Sequence, residues 1–549
     1  TADITIVAQW SELPPAKEYW TVIIDLNDGT VPTTKQVEKG EKLTDVEEPT
    51  REGYRFTGWK VNDADWTMDE AITANVTIVA QWVKKPPVAA DGKIVMNGTE
   101  YATLAAAFAA IPTNSTDMYT IILGKGTYNE NGLMYKGSAT IRISGSTDAK
   151  YGSDVIIKGH GSKMPGETGC DSKNRCLISI QGTANIILEN ITLESDWYRA
   201  DHSGDVQAEV LGTDSTGYTA AYNCGFKSHQ DTLRTIGKAW FYGCYIEGDV
   251  DFIWMEAGGK VALYENCEIV SLWDSAAKTH NTYLTAPKMA ETLKLGKGLV
   301  IYNSTVKETA EAKANGQKTY LARTPWSSGC YNQVAYINTL CEDIELSDGP
   351  WYKTQIATSY PKTMVGWKMD QATADSIGIT GQKDYILDAD TVAKEFNGRN
   401  AILNRIFDTG KLRYVTDTST NWDINAFITA MGWTVTKDTS SDKLEGDTMG
   451  EAKVYDFTVD GENEAVCDGF KFQEGKTHYV GQTGATITIP VNGKCYIEVY
   501  GYYAGTAEAT ADTQVGKMIM FFNNGSTNNE VENDYIVYDE NATSVVITA

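Results

Sequence analysis

The chain has 549 residues and a formal net charge of −26, so several domains are expected, and a broad attraction for nucleic acid is excluded because phosphates would be repelled. Its 49 Gly, 13 Pro and 30 Tyr, without long helical stretches, favour a β-rich architecture. No apolar run reaches the roughly 18 residues of a transmembrane helix. Nine cysteines without a C-x-x-C pair indicate neither a zinc ribbon nor a dense disulfide framework.

The first ten residues, TADITIVAQW, recur almost unchanged at residues 73–82 as TANVTIVAQW, which identifies an internal repeat. Between the copies lie the alternating strand pattern TVIIDL and the aromatic turn GYRFTGWK at residues 53–60. This unit resembles the internalin-type β-grasp repeat of bacterial surface proteins. We predict that residues 1–10 are the tail of a truncated repeat and that residues 18–82 form one β-grasp-like repeat, which acts as a spacer rather than as a binding module.

A short helix is predicted where a long β region begins. The segment YATLAAAFAAIP, residues 101–112, is the strongest helical stretch of the chain, and its proline ends it. A helix at this place would cover the first open edge of a solenoid.

The β region itself is marked by one short phrase that returns along the chain. It reads ENITLES, YNCGFKS, YGCYIEG, ENCEIVS, YNSTVKE and INTLCED, and its shortest intervals are 20 and 23 residues. Such spacing, lengthened by loops elsewhere, fits coils that stack roughly 4.8 Å apart. Cys224, Cys244 and Cys267 then form an inward apolar ladder. The sequence therefore predicts an all-β chain whose main part is a right-handed single-stranded parallel β-helix.

Acidic residues share one phase of these coils. Asp231, Asp251 and Asp274 each stand seven residues after a ladder cysteine. Stacked coils would bring their carboxylates within about 5 Å of each other, and like charges that close leave one acid protonated while its neighbour stays ionised. The alternative is a solvated acidic ladder on a polar sheet face, which is the fate expected for Asp274.

Four motifs around these acids resemble the pectin methylesterase family, carbohydrate esterase family 8, in which QAVAL, QDTL, VDFIFG and YLGRPW occur in this order. The corresponding residues are Gln207 in VQAEVLG, Gln230 and Asp231 in HQDTLRT, Asp251 in GDVDFIWMEAGG, and Arg323 in TYLARTPWS. With the entry segment at 101–112, the resemblance covers roughly residues 91–433, which we expect to form the catalytic domain.

The resemblance implies a role for each matched residue. Asp251, kept ionised by Arg323, would attack the C6 methyl-ester carbonyl of galacturonate in pectin (homogalacturonan). Gln207 and Gln230 would donate to the oxyanion. Asp231 would protonate the leaving methoxide and then activate water. The chain is thus expected to be a pectin methylesterase that needs no metal or other cofactor.

The chain also departs from the family pattern. His229 replaces the aromatic residue before the QD pair, Arg234 replaces a tyrosine, and Thr324 is inserted after the motif arginine. The key polar residues remain, so activity is expected, with sugar contacts from Trp326, Trp254 and His229. For Trp254, core packing is an equal alternative.

A separate module is predicted at the C-terminus. After residue 433 a polar linker leads to strand patterns such as ATITIPV and CYIEVYGYY, which predict a β-sandwich over residues 450–549. The segment loosely resembles accessory modules of bacterial pectin-degrading enzymes. Sugar binding by exposed aromatic residues and a purely structural role both stay open.

Two other functions also stay open: a polygalacturonase-like glycoside hydrolase on the same fold, and a non-catalytic surface adhesin. The glutamine pair and Arg323 argue against the glycosidase, which has no acyl oxyanion to hold. Neither G-x-S-x-G nor H-E-x-x-H occurs to support a serine or zinc hydrolase. Pectin is the expected partner. We expect secretion or a bacterial cell-surface location, with a leader or an anchor in regions outside this sequence.

Overall fold

The computed structural model describes residues 17–51, 53–62, 64–84, 88–202, 206–276, 281–289, 294–323, 332–342, 344–347, 349–352, 367–379, 386–408, 413–417, 422–438, 455, 464–472, 479–491, 495–501, 505–511, 518–522, 531–537 and 542–548. Residue contacts divide the chain into two units, residues 1–88 with 423–436, and residues 89–422 with 437–549. Within the described residues, no helix is long and apolar enough to cross a membrane.

The first unit contains a mixed β-sheet. Its strands are β1 (Tyr19–Asp25), β2 (Thr33–Glu38), β3 (Tyr54–Val61), β4 (Ala64–Trp66) and β5 (Val76–Lys84). They lie in the order β2-β1-β5-β3-β4, and β1 runs parallel to β5 while the other pairs are antiparallel. Val22, Trp59 and Ile78 are buried in its core, as the alternating strand pattern predicts.

The second unit opens with the elements of a solenoid. In chain order these are β6 (Ile94–Met96), β7 (Thr99–Tyr101), α1 (Leu104–Ala109), β8 (Met118–Leu123), β9 (Gly126–Asn129), β10 (Leu133–Gly137), β11 (Thr140–Gly145), β12 (Val155–Gly159), β13 (Ile178–Gly182), β14 (Asn185–Glu189), β15 (Thr192–Ser195), β16 (Leu211–Ser215), β17 (Tyr218–Tyr222), β18 (Gly225–Lys227), β19 (Leu233–Tyr242), β20 (Tyr245–Gly248), β21 (Val250–Glu265), β22 (Glu268–Ser271), β23 (Asn281–Pro287), β24 (Lys294–Leu295), β25 (Gly298–Tyr302), β26 (Thr305–Glu308), α2 (Ala310–Ala314), β27 (Lys318–Ala322), β28 (Val334–Ile337), β29 (Leu340–Glu342) and β30 (Trp367–Met369).

Three faces of parallel strands form the coils. The first face runs β8-β11-β14-β17-β19-β21-β25-β28-β30, the second runs β9-β12-β15-β18-β20-β22-β26-β29, and the third runs β10-β13-β16-β19-β21-β23-β27. Strands β19 and β21 are long enough to contribute to both the third and the first face. Each coil therefore stacks in register on the one before it, and the predicted parallel β-helix is confirmed.

The recurring phrase marks the corner between the first and second faces. Its Asn or Gly adopts the left-handed conformation, which these residues tolerate best, at Asn190, Asn223, Gly243, Asn266, Asn303 and Asn338. The Asn223 side chain donates to Asn190 Oδ1 (2.8 Å), so adjacent corners are bonded together. The cysteines that follow point inward: Cys224, Cys244 and Cys267 are all buried, which confirms the predicted apolar ladder.

Helix α1 covers the first coil, as predicted for a solenoid cap. Thr103 Oγ1 accepts a hydrogen bond from the Ala106 amide (3.1 Å) and begins the helix. Leu104 and Phe108 are buried in the same core cluster as the first coils. Strand β6 pairs antiparallel with β8, so it also shields the open edge.

The remaining elements follow the coils. They are α3 (Gln371–Ser376), α4 (Ala389–Glu395), α5 (Arg399–Asn404), β31 (Arg405–Asp408), β32 (Arg413–Thr416), α6 (Ile424–Met431), β33 (Cys467–Phe472), β34 (Tyr479–Pro490), β35 (Cys495–Gly501), β36 (Gly505–Ala511), β37 (Met518–Phe522), β38 (Val531–Val537) and β39 (Ser544–Thr548). Helix α6 belongs to the first unit. The last seven strands form antiparallel sheets, β33-β34-β39-β36-β37 and β35-β38, the arrangement that a β-sandwich requires.

A buried lysine attaches α4 and α5 to the coils. Lys297, which precedes β25, has a fully buried side chain whose Nζ donates to Ala401 O (2.8 Å) and lies 3.5 Å from a Glu395 carboxylate oxygen. Arg405 also bonds Glu395, at 2.7 Å. Burial lowers the pKa of Lys297 to about 8 despite the attraction of Glu395.

Candidate active site

Three carboxylates occupy equivalent places where successive coils enter the third face. Glu209, Asp231 and Asp251 each stand two residues before a strand residue that pairs in register with its neighbours, and those partners are Leu211, Leu233 and Ile253. The predicted stacking of Asp231 and Asp251 is therefore present. The third acid of this column is Glu209, on the coil before Asp231, and not Asp274.

Both aspartates have an uncommon backbone conformation. The φ angle is 62° at Asp231 and 52° at Asp251, in the left-handed region that costs a residue with a side chain about 1–3 kcal/mol. The surrounding coils hold this geometry, since the Asp231 amide donates to Val250 O (3.0 Å). Such strain persists where the position of a side chain matters more than local stability.

Asp251 is held by a cation. Nε of Arg323 lies 2.5 Å from Asp251 Oδ1, and Nη2 donates to Oδ2, which makes the pair bidentate. The Arg323 amide donates to Thr285 O (3.0 Å), and its guanidinium lies 4.1 Å from the ring centre of Tyr283. The arginine is thus fixed from two sides before it meets the carboxylate.

Asp231 has a cationic partner as well. Nη2 of Arg175 donates to Asp231 Oδ2 (2.9 Å) and to Glu209 Oε1 (2.7 Å), while Nε of Arg175 donates to Glu209 Oε2 (2.8 Å). Comparison with the family motifs predicted neither Arg175 nor Glu209 as a neighbour of Asp231. Glu209 was visible as an acid in VQAEVLG where the family motif QAVAL has a valine, but Arg175 lies too far along the chain for spacing to connect the two.

The electrostatic surroundings separate the two aspartates. Burial raises the pKa of both carboxyl groups. At Asp251 the hydrogen bonds and charge of Arg323 oppose this rise. At Asp231 the charges of Glu209 and Asp251 add to burial, against Arg175 and Arg323, and hold the pKa well above its usual range. The pKa of Asp231 is therefore raised with little relief from its cations, whereas the rise at Asp251 is opposed by the direct hydrogen bonds of Arg323.

Two amide side chains stand beside the column. Gln207 and Gln230 form a parallel bridge between consecutive coils, and the Ala208 amide donates to Gln230 O (3.2 Å). Both side chains are half-buried. Among the described residues neither side-chain amide makes a hydrogen bond, so each can donate to an oxygen that arrives at the column.

Asp274 belongs to a second cluster, and its expected solvation is wrong. Its side chain is 8% exposed and accepts from Arg199 Nε (2.6 Å), while Arg199 Nη2 donates to Asp249 Oδ2 (2.9 Å). The His229 Nδ1 atom lies 3.8 Å from carboxylate oxygens of both acids. Asp274 does not continue the column of Asp231 and Asp251 because a longer segment separates it from β23. This coil therefore does not repeat the spacing of the previous ones.

Charge balance shapes the second cluster. Burial alone would lower the pKa of His229, but Asp249 and Asp274 raise it. Burial alone would raise the pKa of Asp249, but His229 and Arg199 lower it. Ligand atoms of the histidine and the two acids lie within 4.8 Å of one another, although Arg199 already bonds both carboxylates.

The three predicted sugar contacts have different placements. His229 is 23% exposed and belongs to the second cluster. Trp254 is half-buried in β21, opposite Arg234 of β19, whose guanidinium lies 5.9 Å from the indole ring. Arg234, in place of the family tyrosine, is buried at 1% exposure. Trp326 lies outside the described residues. Sugar binding by all three stays a prediction.

Comparison with known proteins assigns a family to the region around the column. A family model described as Pectinesterase matches residues 87–364, which are 278 of the 549 residues, and one described as Listeria-Bacteroides repeat domain matches residues 20–81. The chain is 27% identical over 302 residues to a pectinesterase of Aspergillus niger, covering 54% of this chain and 85% of that protein.

A plant relative and a solved structure are also similar. Pectinesterase/pectinesterase inhibitor 3 of Arabidopsis thaliana is 28% identical over 265 residues, covering 48% of this chain and 40% of that protein. The chain therefore spans about two fifths of the length of that relative. The solved pectin methylesterase from carrot is 22% identical with a TM-score of 0.45, and the similarity covers 56% of this chain and 91% of that one.

Proposed function

The chain belongs to the pectinesterase family, and from that premise we propose that it hydrolyses the C6 methyl esters of galacturonate residues in pectin and releases methanol. One observation carries the proposal: Asp231 and Asp251 are stacked on consecutive coils, Asp251 is paired with Arg323, and burial with the charges of Glu209 and Asp251 raises the pKa of Asp231 well above its usual range. An esterase that works through a carboxylate nucleophile and a carboxylic acid needs this division.

The first half of the reaction forms a covalent intermediate. An oxygen of the Asp251 carboxylate attacks the ester carbonyl carbon, and the electrons of the C=O bond move to its oxygen. As the tetrahedral species collapses, the bond from carbon to the methoxy oxygen breaks. The proton of Asp231 passes to that oxygen, so methanol leaves as a neutral molecule. The product of this half is an acyl-enzyme on Asp251 and an ionised Asp231.

The second half releases the acid. Asp231, now a carboxylate, takes a proton from water while the water oxygen attacks the acyl carbon. The bond to Asp251 breaks, and its carboxylate returns to Arg323. Asp231 is then protonated again, and the galacturonic acid formed loses its proton to solvent. Both aspartates end in the state in which they began.

Neutral donors suit the oxyanion of both tetrahedral species. Gln207 and Gln230 offer side-chain amides that are not already bonded among the described residues. Because these amides carry no charge, they stabilise the developing oxyanion without competing with Arg323 for the Asp251 carboxylate. Losing one such donor typically costs about 100-fold or more in kcat.

Product analysis tests the proposal against its alternatives. Purified chain incubated with highly methylated pectin should release methanol without new reducing ends, and Asp251→Asn should release none. New reducing ends would identify a glycoside hydrolase instead. Neither product, from a chain that sediments with pectin, would identify an adhesin.

The regions around the catalytic part have separate proposed roles. We propose a catalytic domain over residues 91–433, a spacer repeat over residues 18–82, and an accessory module over residues 450–549. The match of residues 20–81 to the Listeria-Bacteroides repeat supports a secreted or surface-displayed protein, and pectin as a polymeric partner fits that location.

A further inference from the structure

The Arg175–Glu209 pair lies against Asp231 but has no part in the bond changes described above. Arg175 precedes β13 and Glu209 precedes β16, so they come from the two coils before that of Asp231. The Glu209 side chain is 0% exposed and that of Arg175 is 15% exposed. Two opposite charges at this depth are tolerated because they bond each other through two hydrogen bonds.

We propose that Arg175 and Glu209 are positioning residues for Asp231: Arg175 fixes one carboxyl oxygen of the acid, and Glu209 cancels the charge that Arg175 brings with it. This inference rests on the proposed esterase function and extends it to two residues that the family motifs do not supply.

The hydrogen bond determines which oxygen of Asp231 carries the proton. Nη2 of Arg175 donates to Oδ2 (2.9 Å), and in a neutral carboxyl group the carbonyl oxygen is the better acceptor. Oδ2 is therefore the carbonyl oxygen and Oδ1 the hydroxyl oxygen. Because Arg175 holds Oδ2, the carboxyl group cannot rotate freely, and its proton stays on the oxygen that is free to meet the methoxy group.

Glu209 is required because a guanidinium alone would draw the proton off. The charged groups that act on Asp231 are Glu209 and Asp251, which favour its protonated form, and Arg175 and Arg323, which favour its ionised form. Arg323 is matched by Asp251. The negative charge of Glu209 balances the positive charge of Arg175 in the same way. Burial then determines the protonation state of Asp231, which keeps its proton.

An infrared titration of the 549-residue chain tests the inference without depending on turnover. The carbonyl stretch of the protonated Asp231 carboxyl group is identified as the band that Asp231→Asn removes, and the pH at which it disappears is measured. In Glu209→Gln the unmatched Arg175 should move that midpoint to lower pH by roughly one unit or more. In the Arg175→Gln/Glu209→Gln double variant, which carries no unpaired charge, the midpoint should return toward that of the wild type.

The pH profile of methanol release provides a second readout. The alkaline limb of kcat/KM, which reports loss of the Asp231 proton, should move with the infrared midpoint in Glu209→Gln. Glu194→Gln is the matched control, since Glu194 forms an ion pair with Lys158 on the second face (2.6 Å) and should leave both quantities unchanged.

Each outcome decides the inference. The inference would be overturned if the infrared midpoint of Glu209→Gln equalled that of the wild type, or if the midpoint of the double variant moved as far as that of the single variant. A purely structural pair would instead lower activity equally at all pH values. If Glu209→Gln does not fold, the double variant decides alone: a midpoint more than about one unit from the wild type refutes the charge balance. Absence of methanol from the wild type would refute the esterase proposal and leave the infrared result standing.

Discussion

Asp251 Oδ1 lies 2.5 Å from Nε of Arg323, so the carboxyl group assigned to the attack is held in place by a cation that favours its ionised form. Replacing Asp251 by asparagine removes the nucleophile with little change in side-chain volume. We expect Asp251→Asn to reduce methanol release by at least about 1,000-fold, since no other group can form the acyl intermediate. Far-UV circular dichroism should be unchanged.

A matched control for this substitution is Asp214→Asn. Asp214 lies in β16 and pairs with Lys173 (2.6 Å), outside the carboxylate column, and its loss should leave the rate within about twofold, as for most surface changes. Retention of more than a tenth of the wild-type rate by Asp251→Asn would remove Asp251 from the role of nucleophile.

The second cluster should tune the nucleophile. Asp249 stands two residues before Asp251, and its charge adds to burial in raising the pKa of Asp251. Asp249→Asn should therefore lower that pKa, so the acidic limb of kcat/KM should move to lower pH. Asp274→Asn, which changes the same arginine contact from the other side, should move it less. An acidic limb that stays in place or moves upward in Asp249→Asn would contradict this electrostatic link.

Asp231 should make the fold less stable as pH rises. Its folded-state pKa is raised, chiefly by burial, so its contribution to stability is fully present below the unfolded-state pKa and is lost as pH rises through the folded-state pKa. The Asn variant does not titrate. As pH rises above the ordinary aspartate pKa of about 4, the unfolding free energy of Asp231→Asn should therefore increase relative to that of the wild type, by up to about 1.4 kcal/mol per pH unit.

Urea unfolding of the two proteins at several pH values, followed by tryptophan fluorescence, measures this difference. The catalytic rate of Asp231→Asn should fall even where its stability exceeds that of the wild type, because the proton donor is lost. A difference in unfolding free energy that stays constant or shrinks with rising pH would show that Asp231 is not protonated in the folded chain.

Sequence spacing predicted the coils because their signal is local. A corner like that at Asn223 recurs with each turn, followed by a buried residue, and an inward residue needs no distant partner to define it. The spacing of Asp231 and Asp251 succeeded for the same reason, since one short coil separates them. The prediction for Asp274 was wrong because a longer segment separates this residue from the next strand. Residues at the same sequence spacing stack on each other only while successive coils have the same length.

Partners from distant parts of the chain could not be found this way. Arg175 bonds an acid 34 residues ahead and another 56 residues ahead, and Arg199 reaches Asp249 across 50 residues. Only Glu209 gave a signal, as an acid at the position where the family motif QAVAL has a valine. A buried acid must have a partner, but the sequence does not say which cation supplies it.

Lys297 should have the opposite effect of pH on stability. Its folded pKa of about 8 lies below the ordinary 10.5, so between these values the unfolded chain binds more protons and the folded state gains stability as pH rises. Relative to Lys297→Met, the unfolding free energy of the wild type should increase by up to about 3 kcal/mol from pH 8 to 10.5.

Lys307→Met, which removes a side chain that is 38% exposed, is the control and should show no such trend. A parallel course of wild type and Lys297→Met in urea unfolding would show that Lys297 is not desolvated as described.

The overall charge should determine which pectin the chain prefers. At −26 the protein repels de-esterified pectin, in which every galacturonate carries a carboxylate, whereas highly methylated chains are nearly neutral. The cations beside the site do not reverse this, because Arg323 is paired with Asp251 and Arg175 with Glu209. We expect kcat/KM per ester group at low ionic strength to be higher on highly than on sparsely methylated pectin. Monovalent salt should narrow the difference as the screening length falls to about 8 Å near 0.15 M. A preference for sparsely methylated pectin that grows as salt is removed would mean that unpaired cations in the groove outweigh the net charge.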